Sequence, residues 1–361
     1  MIRVGILMFQ NMRYAPFLKM YENIIKEIPD ASYDVIYYNR DKSLNEINEE
    51  HYIPIAWYGK GTVAAPKYEK IANFFIYRHE AKKKIINGKY DFLIVLTTFP
   101  AVLLSDFLVQ QYRGRYIVDI RDYTQEQFGP YFFLEKIAFA NSAMRVISSP
   151  GFVNFLPADH YIVCHNIDDE FKNEGSGGIV KASNGKIIIS YIGSISYEKQ
   201  CRQLIDLVSK DERFEFRLFG NEANGNVVSQ YVERLNNPRI KMMGAFQPSE
   251  KEQIYNQSDL IFNCYGNDSP LVKYAISNKY YDGALYRKPL LVSPNTAMAD
   301  MSGGFAYRLD LDSVNDLNGL IDWYAALNPL EYNAFACNVI KTSFAENNDL
   351  KRMIKKKIQE L

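Results

Sequence analysis

Chemistry concentrates first in one stretch, Asn263 to Ser293, NCYGNDSPLVKYAISNKYYDGALYRKPLLVS. A short apolar run, Leu260 to Cys264, reads as a buried strand and leads into a polar loop from Gly266 to Ser277. NKYYDGALYRK then reads as a short helix and PLLVS as the next strand. A loop at the carboxyl end of a parallel strand, feeding a helix N-terminus, suits a phosphate-bearing ligand, because unsatisfied amides and the helix dipole both favour an anion. A second place has the same chemistry. In IISYIGSISYEK a strand ends at Gly193, a short loop follows, and Lys199 stands at a helix start. Glycine lets a ligand approach the backbone closely, and a helix N-terminus carrying lysine is an anion site. Alone, that segment is an ordinary tight turn with a solvated lysine. Combined with the Asn278 stretch, it points to an anion held between two loops.

Other chemistries lack their residues. Only 4 histidines occur, none at HExxH or HxxxH spacing, which argues against zinc. GxSxG, GxxxxGK[ST] and GxGxxG are absent, which argues against a serine hydrolase, a P-loop NTPase and a dinucleotide oxidoreductase. Asp310 and Asp312 have the spacing of a metal-diphosphate pair, but Asp312 or Ser313 is better read as the cap of the helix expected from Ser313. No metal site and no cofactor are expected.

These loops need elements to position them. The 361 residues suggest two domains, and 42 basic against 42 acidic residues leave no global field to recruit nucleic acid. Apolar runs at 2–9, 33–38, 92–96, 116–120, 145–148 and 161–164 alternate with helical periodicities, and the pattern repeats from Ile187 to Val292. Continuous apolar strands separated by helices predict parallel sheets covered on both faces. Residues 40 to 60 read as polar and irregular. Ser249 with Glu252 reads as a capping box. EGSGGIVKASNG, residues 174 to 185, reads as a linker rather than a phosphate cradle, since no helix start follows it. The expected division is residues 1–172, a linker at 173–186, residues 187–328, and C-terminal helices at 329–361 that pack back on the first domain. Cys164, Cys201, Cys264 and Cys337 form no CxxC and read as reduced. The opening MIRVGILMF is too short for a signal segment, and no apolar run approaches the ~20 residues that span a bilayer. A cytoplasmic chain is expected, at most peripheral to the inner face of the membrane.

Four motifs then carry a resemblance. YIGSISYEK resembles the G-x-x-x-x-x-K turn that opens the C-terminal domain of retaining GT-B glycosyltransferases. SNKYYDGALYRKPLLV resembles the PNKxxEyxAxGkPvv signature of the capsule, O-antigen and exopolysaccharide enzymes of that group. VCHNIDDEF is similar to their NGvD..F segment, and YIVDIRDYTQEQF to their D-x-RD segment. The four fall in the family's order along most of the chain. The resemblance implies two doubly wound Rossmann-like domains facing an interdomain cleft. The implied activity is metal-independent transfer of a hexose, with retention, from a UDP- or GDP-linked sugar to a saccharide or polyprenyl-diphosphate-linked acceptor.

It also implies roles. Lys199 would contact the donor diphosphate and assist catalysis, beside Gly193 and Ser194. Asp282 would hold the ribose hydroxyls. Ser269, Pro270, Leu271 and Val272 would offer loop amides to phosphate or sugar, and Gly244 to Phe246 would border the base. Asn278 and Lys279 open the helix that carries Asp282, with Lys279 a second candidate cation. A carboxylate can accept from two vicinal hydroxyls, and a cation offsets the charge of a leaving diphosphate. Two positions depart from the pattern. Ser194 stands where an arginine is common, so one cation is absent or comes from Lys273, Lys279 or Arg202. Tyr274 stands where many members carry a glutamate eight residues before the ribose-binding acid.

In the first half, Asp119, Arg121 and Asp122 follow a strand end. Asp122 is the candidate for orienting or deprotonating an acceptor hydroxyl, with Asp119 and Arg121 at the acceptor. The alternative is an Asp–Arg pair that pins the loop. Asn11 and Arg13, in the loop after the first strand, are further acceptor candidates. Trp57 to Lys89 mixes aromatic and basic residues and could lie on a membrane surface, although its apolar positions also suit core packing, the reading preferred here. An NDP-sugar epimerase or a phosphorylase on the same fold, and a noncatalytic sugar-binding protein, are the competing functions.

Overall fold

The computed structural model describes residues 1–11, 15, 17–39, 50–57, 59, 66–167 and 185–361. Arg13 and most of the Gly/Ser-rich stretch lie outside the described residues. The chain forms two units, Met1–His165 with Glu346–Leu361, and Asn166–Ala345.

The first unit is built from β1 (Ile2–Met8), α1 (Leu18–Lys26), β2 (Ala31–Asn39), β3 (Tyr52–Ala56), α2 (Lys67–Gly88), β4 (Phe92–Leu96), α3 (Thr98–Leu103), α4 (Ser105–Tyr112), β5 (Tyr116–Ile120), α5 (Gly129–Ala140), β6 (Met144–Ile147) and β7 (Ile162–Val163). All pairings are parallel, in the order β3-β2-β1-β4-β5-β6-β7. The central strands FLIVL and YIVDI are buried throughout, as strands covered on both faces must be. One core joins α1 to the sheet and takes in Leu350, Ile354 and Ile358. Strand β3 corrects the reading of 40–60 as irregular at 52–56, while 40–49, 58 and 60 lie outside the described residues. It is an edge strand, which tolerates its central Pro54 and so lacks a strong pattern. Core packing of α2 holds for one face only. Asn73, Tyr77, Ala81 and Ile85 face inward at four-residue spacing, while Tyr68, Ile71, Phe75 and Ile86 are exposed.

The second unit runs β8 (Ile187–Ile192), α6 (Glu198–Lys210), β9 (Phe214–Phe219), α7 (Val227–Leu235), β10 (Ile240–Gly244), α8 (Lys251–Asn256), β11 (Leu260–Asn263), α9 (Pro270–Tyr274), α10 (Asn278–Leu285), β12 (Leu290–Val292), α11 (Ala297–Ser302), β13 (Ala306–Arg308) and α12 (Asn318–Ala326). Its sheet is again parallel, ordered β10-β9-β8-β11-β12-β13. A last helix, α13 (Pro329–Gln359), begins in the second unit and ends in the first.

Two local expectations fail here. The capping box is made by Gln247 and Glu250 on a 3-10 turn, not by Ser249 and Glu252, because Pro248 fixes the first turn one step earlier. Asp312 and Ser313 cap no helix, since α12 starts only at Asn318, whose N–H bonds to Asp316 at 2.9 Å.

Candidate functional site

In the second sheet the chain leaves β8 toward β9 and leaves β11 toward β12. The loops at the carboxyl ends of β8 and β11 therefore diverge, which opens the crevice where parallel sheets bind ligands. Gly193 ends β8 with φ +122°, a conformation side chains avoid. Its N–H bonds to the Phe219 carbonyl at 2.9 Å, and the Gly220 N–H bonds to the Gly244 carbonyl at 2.7 Å. The turns after β8, β9 and β10 are thus laced together. Gly220 is also required for space, because a Cβ there would lie 1.9 Å from the Gly193 carbonyl oxygen.

Lys279, in the first turn of α10, reaches back to this turn. Its Nζ would lie 3.7 Å from a Cβ placed on Gly193. It donates to the Tyr265 hydroxyl at 2.5 Å and sits 4.7 Å from the Tyr191 ring centre and 5.1 Å from that of Tyr265. Tyr265 is stacked on Tyr197 at 4.0 Å, and the Tyr191 hydroxyl donates to the Ser194 carbonyl at 2.7 Å. Aromatic faces stabilise a cation without neutralising it. Two of the three ammonium protons have no acceptor among the described residues. Loss of solvation lowers Lys279 to about 8, and the Asp282 carboxylate opposes that shift. An incoming phosphate would restore the full charge.

The other two candidate replacements for the missing cation lie elsewhere, since among the described residues only Lys279 comes within 4 Å of a Cβ placed on Gly193. Arg202 lies over the Tyr231 ring at 4.6 Å and Lys273 over Tyr274 at 5.4 Å. Lys199 is exposed at the second position of α6 and pairs with Asp312 at 2.6 Å, and this pair raises the lysine and lowers the carboxyl. Gln203 also donates to Asp312. Asp312 therefore anchors Lys199. Ser194 is exposed beside Ser196, with their hydroxyls 3.3 Å apart.

After β11, Gly266 donates to the Ser293 hydroxyl at 2.8 Å, and α9 starts at Pro270 with Ser269 extended before it. Proline has no N–H and the Lys273 N–H returns to the Ser269 carbonyl, so the first-turn amides belong to Leu271 and Val272. Asn278 is exposed at the head of α10. Asp282, one turn further, is buried. Its Oδ1 accepts from Lys251 at 2.6 Å and its Oδ2 from the Tyr255 hydroxyl at 3.1 Å. Burial raises its carboxyl and Lys251 opposes this. A ribose diol would share these oxygens with Lys251 and Tyr255. Gly244, at φ +77°, ends β10, and part-buried Phe246 follows it.

The first sheet has the same divergence between β1 and β4. Asp119 is fully buried on β5. Its Oδ2 accepts from the Tyr21 hydroxyl at 2.9 Å and from Arg121 at 2.8 and 2.7 Å. Its Oδ1 has no hydrogen-bond partner among the described residues. Arg121 lies over Phe17 at 4.6 Å and reaches Cys164 Sγ at 3.4 Å. The structure thus forms the Asp–Arg pair that was the alternative to an acceptor role for these two residues. Asp122 is left out of it, reaching solvent and making no hydrogen bond among the described residues. Even so, the protein around it strips enough solvation to raise its carboxyl to about 6, against the pull of Arg121. Asn11 is buried and donates to Asn39 at 3.3 Å. Thr97, at the end of β4, holds φ +74°, which costs a β-branched residue strain, and its N–H bonds to the Asp119 carbonyl at 2.8 Å.

Lys251, Tyr255, Tyr191, Tyr265 and Tyr21 had no signal in sequence. Each meets its partner from a different element. Among the described residues no three His, Cys, Asp or Glu are grouped to hold a metal ion.

No family model and no curated protein matches the sequence. Solved structures match in fold. A sucrose-phosphate synthase from Thermosynechococcus elongatus aligns with TM-score 0.71 and 9% identity, over 100% of both chains. Anabaena HepE, solved with UDP and glucose, aligns at 0.65 and 14% identity, over 97% of this chain and 98% of that one. A UDP-N-acetylglucosamine 2-epimerase aligns at 0.56 and 12% identity, over 93% and 90%. The two parallel-sheet units have the GT-B architecture.

Proposed function

We propose that this protein is a glycosyltransferase that moves a hexose from a UDP- or GDP-linked sugar to a saccharide or polyprenyl-diphosphate-linked acceptor. The transfer is metal-independent, retains the anomeric configuration and serves surface polysaccharide synthesis at the inner face of the membrane. The observation that carries the donor half is the Lys279 ammonium beside Gly193, in the crevice between the β8 and β11 loops, with two protons uncommitted. Lys279 and Lys199 neutralise the diphosphate as it leaves, the amides of Leu271 and Val272 hold phosphate or sugar, and Asp282 takes the ribose hydroxyls. HepE, bound to UDP and glucose on the same fold, supports a nucleotide-sugar donor. Asp122 orients or deprotonates the acceptor hydroxyl. The donor phosphate can share that work.

Thermal-shift titration with UDP- and GDP-sugars tests the donor site, since a tight ligand raises the melting temperature by mass action. Stabilisation by an NDP-sugar, followed by transfer with retention to an acceptor, is the expected result. Binding of free sugar with no response to any nucleotide would overturn it.

The epimerase among the matching structures favours a second reading, a change in the donor sugar itself. Conversion of an NDP-sugar with no acceptor present would establish it in place of transfer.

A further inference from the structure

We propose that the outer face of α2, with the neighbouring face of α5, docks on an anionic phospholipid bilayer. The inference comes from the first unit's surface alone and does not depend on the donor-site reading.

Helix α2 has two apolar faces, and the fold needs only one. The inward face is complete with Asn73, Tyr77, Ala81 and Ile85. On the opposite side, Tyr68 is 74% exposed, Ile71 53%, Phe75 69% and Ile86 61%. Their spacings of three, four and eleven residues put them on one stripe along the helix. Solvent-facing stripes are normally polar, so this one marks a contact surface.

The stripe continues into its neighbours. Phe74 of α2 lies 5.5 Å from Phe99 of α3, which lies 5.7 Å from Tyr131 of α5. The three helices are therefore adjacent in one layer. From the same layer α5 exposes Phe133 at 61%. No helix of the described chain is long and apolar enough to cross a membrane, so contact is with the surface.

Charge selects the occupant. Helix α2 carries Lys67, Lys70, Arg78, Lys82, Lys83 and Lys84 against Glu69 and Glu80. Glu69 is buried and bonded to the Trp57 indole at 2.9 Å. Arg78 and Lys82 are paired with Asp106, while Lys70, Lys83 and Lys84 have no acidic partner among the described residues. A second copy would bring two basic faces together, which repel. Aromatic and aliphatic side chains beside Lys83, one turn before Ile86, and beside Arg78 and Lys82, which share the single carboxylate of Asp106, match the headgroup–acyl boundary of an anionic bilayer instead.

The test is co-sedimentation of the full chain with vesicles of phosphatidylcholine, alone or with about a third phosphatidylglycerol. Binding to the anionic vesicles is expected, weakened by salt and at least ~10-fold weaker on neutral ones. The double substitution Ile71→Ser/Phe75→Ser should lower binding at least ~10-fold with an unchanged melting temperature, because both side chains lie outside the core. Lys83→Glu should lower it about fivefold or more. Phe133→Ser, on a separate helix, should weaken it as well. Absence of binding to anionic vesicles, or equal binding by wild type and Ile71→Ser/Phe75→Ser, would overturn the proposal. So would a concentration-dependent dimer in sedimentation velocity that the same double substitution dissolves.

Discussion

Each sheet has a divergence point with charged side chains close to it, and the two points use those charges in opposite ways. In the first unit Asp119, Arg121 and Tyr21 satisfy one another inside the protein, and only Asp122 reaches solvent. In the second, Lys279 is held by rings and one hydroxyl that leave its charge uncancelled. A cation facing a carboxylate holds a loop in place. A cation facing aromatic rings remains available to a ligand. The buried Asp119–Arg121 pair is therefore spent within the fold, whereas Lys279 keeps two ammonium protons without an acceptor among the described residues.

The largest effect separating the two should come from Arg121→Met. It strands Asp119 without its buried counter-charge, and urea unfolding should show a loss of about 3–5 kcal/mol. An unchanged midpoint with loss of turnover alone would instead make Arg121 a ligand contact. Lys279→Met should do the reverse, lowering donor kcat/KM by ~10²-fold or more with little change in melting temperature.

Its titration gives a second check. Since burial lowers Lys279 to about 8, donor affinity should fall as pH rises past 8, while Lys279→Arg should hold its affinity to about pH 10. Stability has the opposite sense over that window. The unfolded lysine keeps its proton longer than the folded one, so raising the pH from 8 toward 10 favours the fold.

Asp122→Asn should lower turnover by ~10²-fold at saturating donor and remove the rise in rate that the wild type shows through about pH 6. A profile unchanged in shape would leave Asp122 without a role in proton transfer.

A smaller effect comes from Glu135, fully buried on α5 with neither carboxyl oxygen bonded among the described residues. Burial, with Glu126 nearby, raises it to about 9. The folded state therefore binds a proton that the unfolded state has released, and stability falls as pH climbs from about 4.5 toward 9. Glu135→Leu should raise stability by about 1–3 kcal/mol at pH 8, a gain that shrinks toward pH 5. Smallest of all, Arg202→Ala and Lys273→Ala should change donor kcat/KM by no more than about twofold, because neither cation comes within 4 Å of a Cβ placed on Gly193.

The alternation of strands and helices was legible because buried parallel strands are nearly pure apolar runs, as in FLIVL. The Gly193 turn was legible because glycine and a following helix are local features. What sequence could not reveal is pairing across elements. Tyr191 and Tyr265 meet Lys279 from different strand ends, and Lys251 meets Asp282 from another helix. Edge strand β3 and the three-residue β13 were missed because short or interrupted strands carry little periodicity. The exposed residues of α2 are not legible in sequence, because an apolar outer stripe is indistinguishable from a wide buried face until the sheet shows which side it covers.

Helix α13 has a consequence for how the chain is made. The core of the first unit includes Leu350, Ile354 and Ile358, yet Asn166–Ala345 is synthesised between those residues and the rest of that core. At typical elongation rates of about 5–20 residues per second, the first sheet waits on the order of 10–40 s for part of its cover. During that interval the surface that later receives Leu350, Ile354 and Ile358 is open to solvent and to chaperones. The second unit, contiguous in sequence, can complete its own core first.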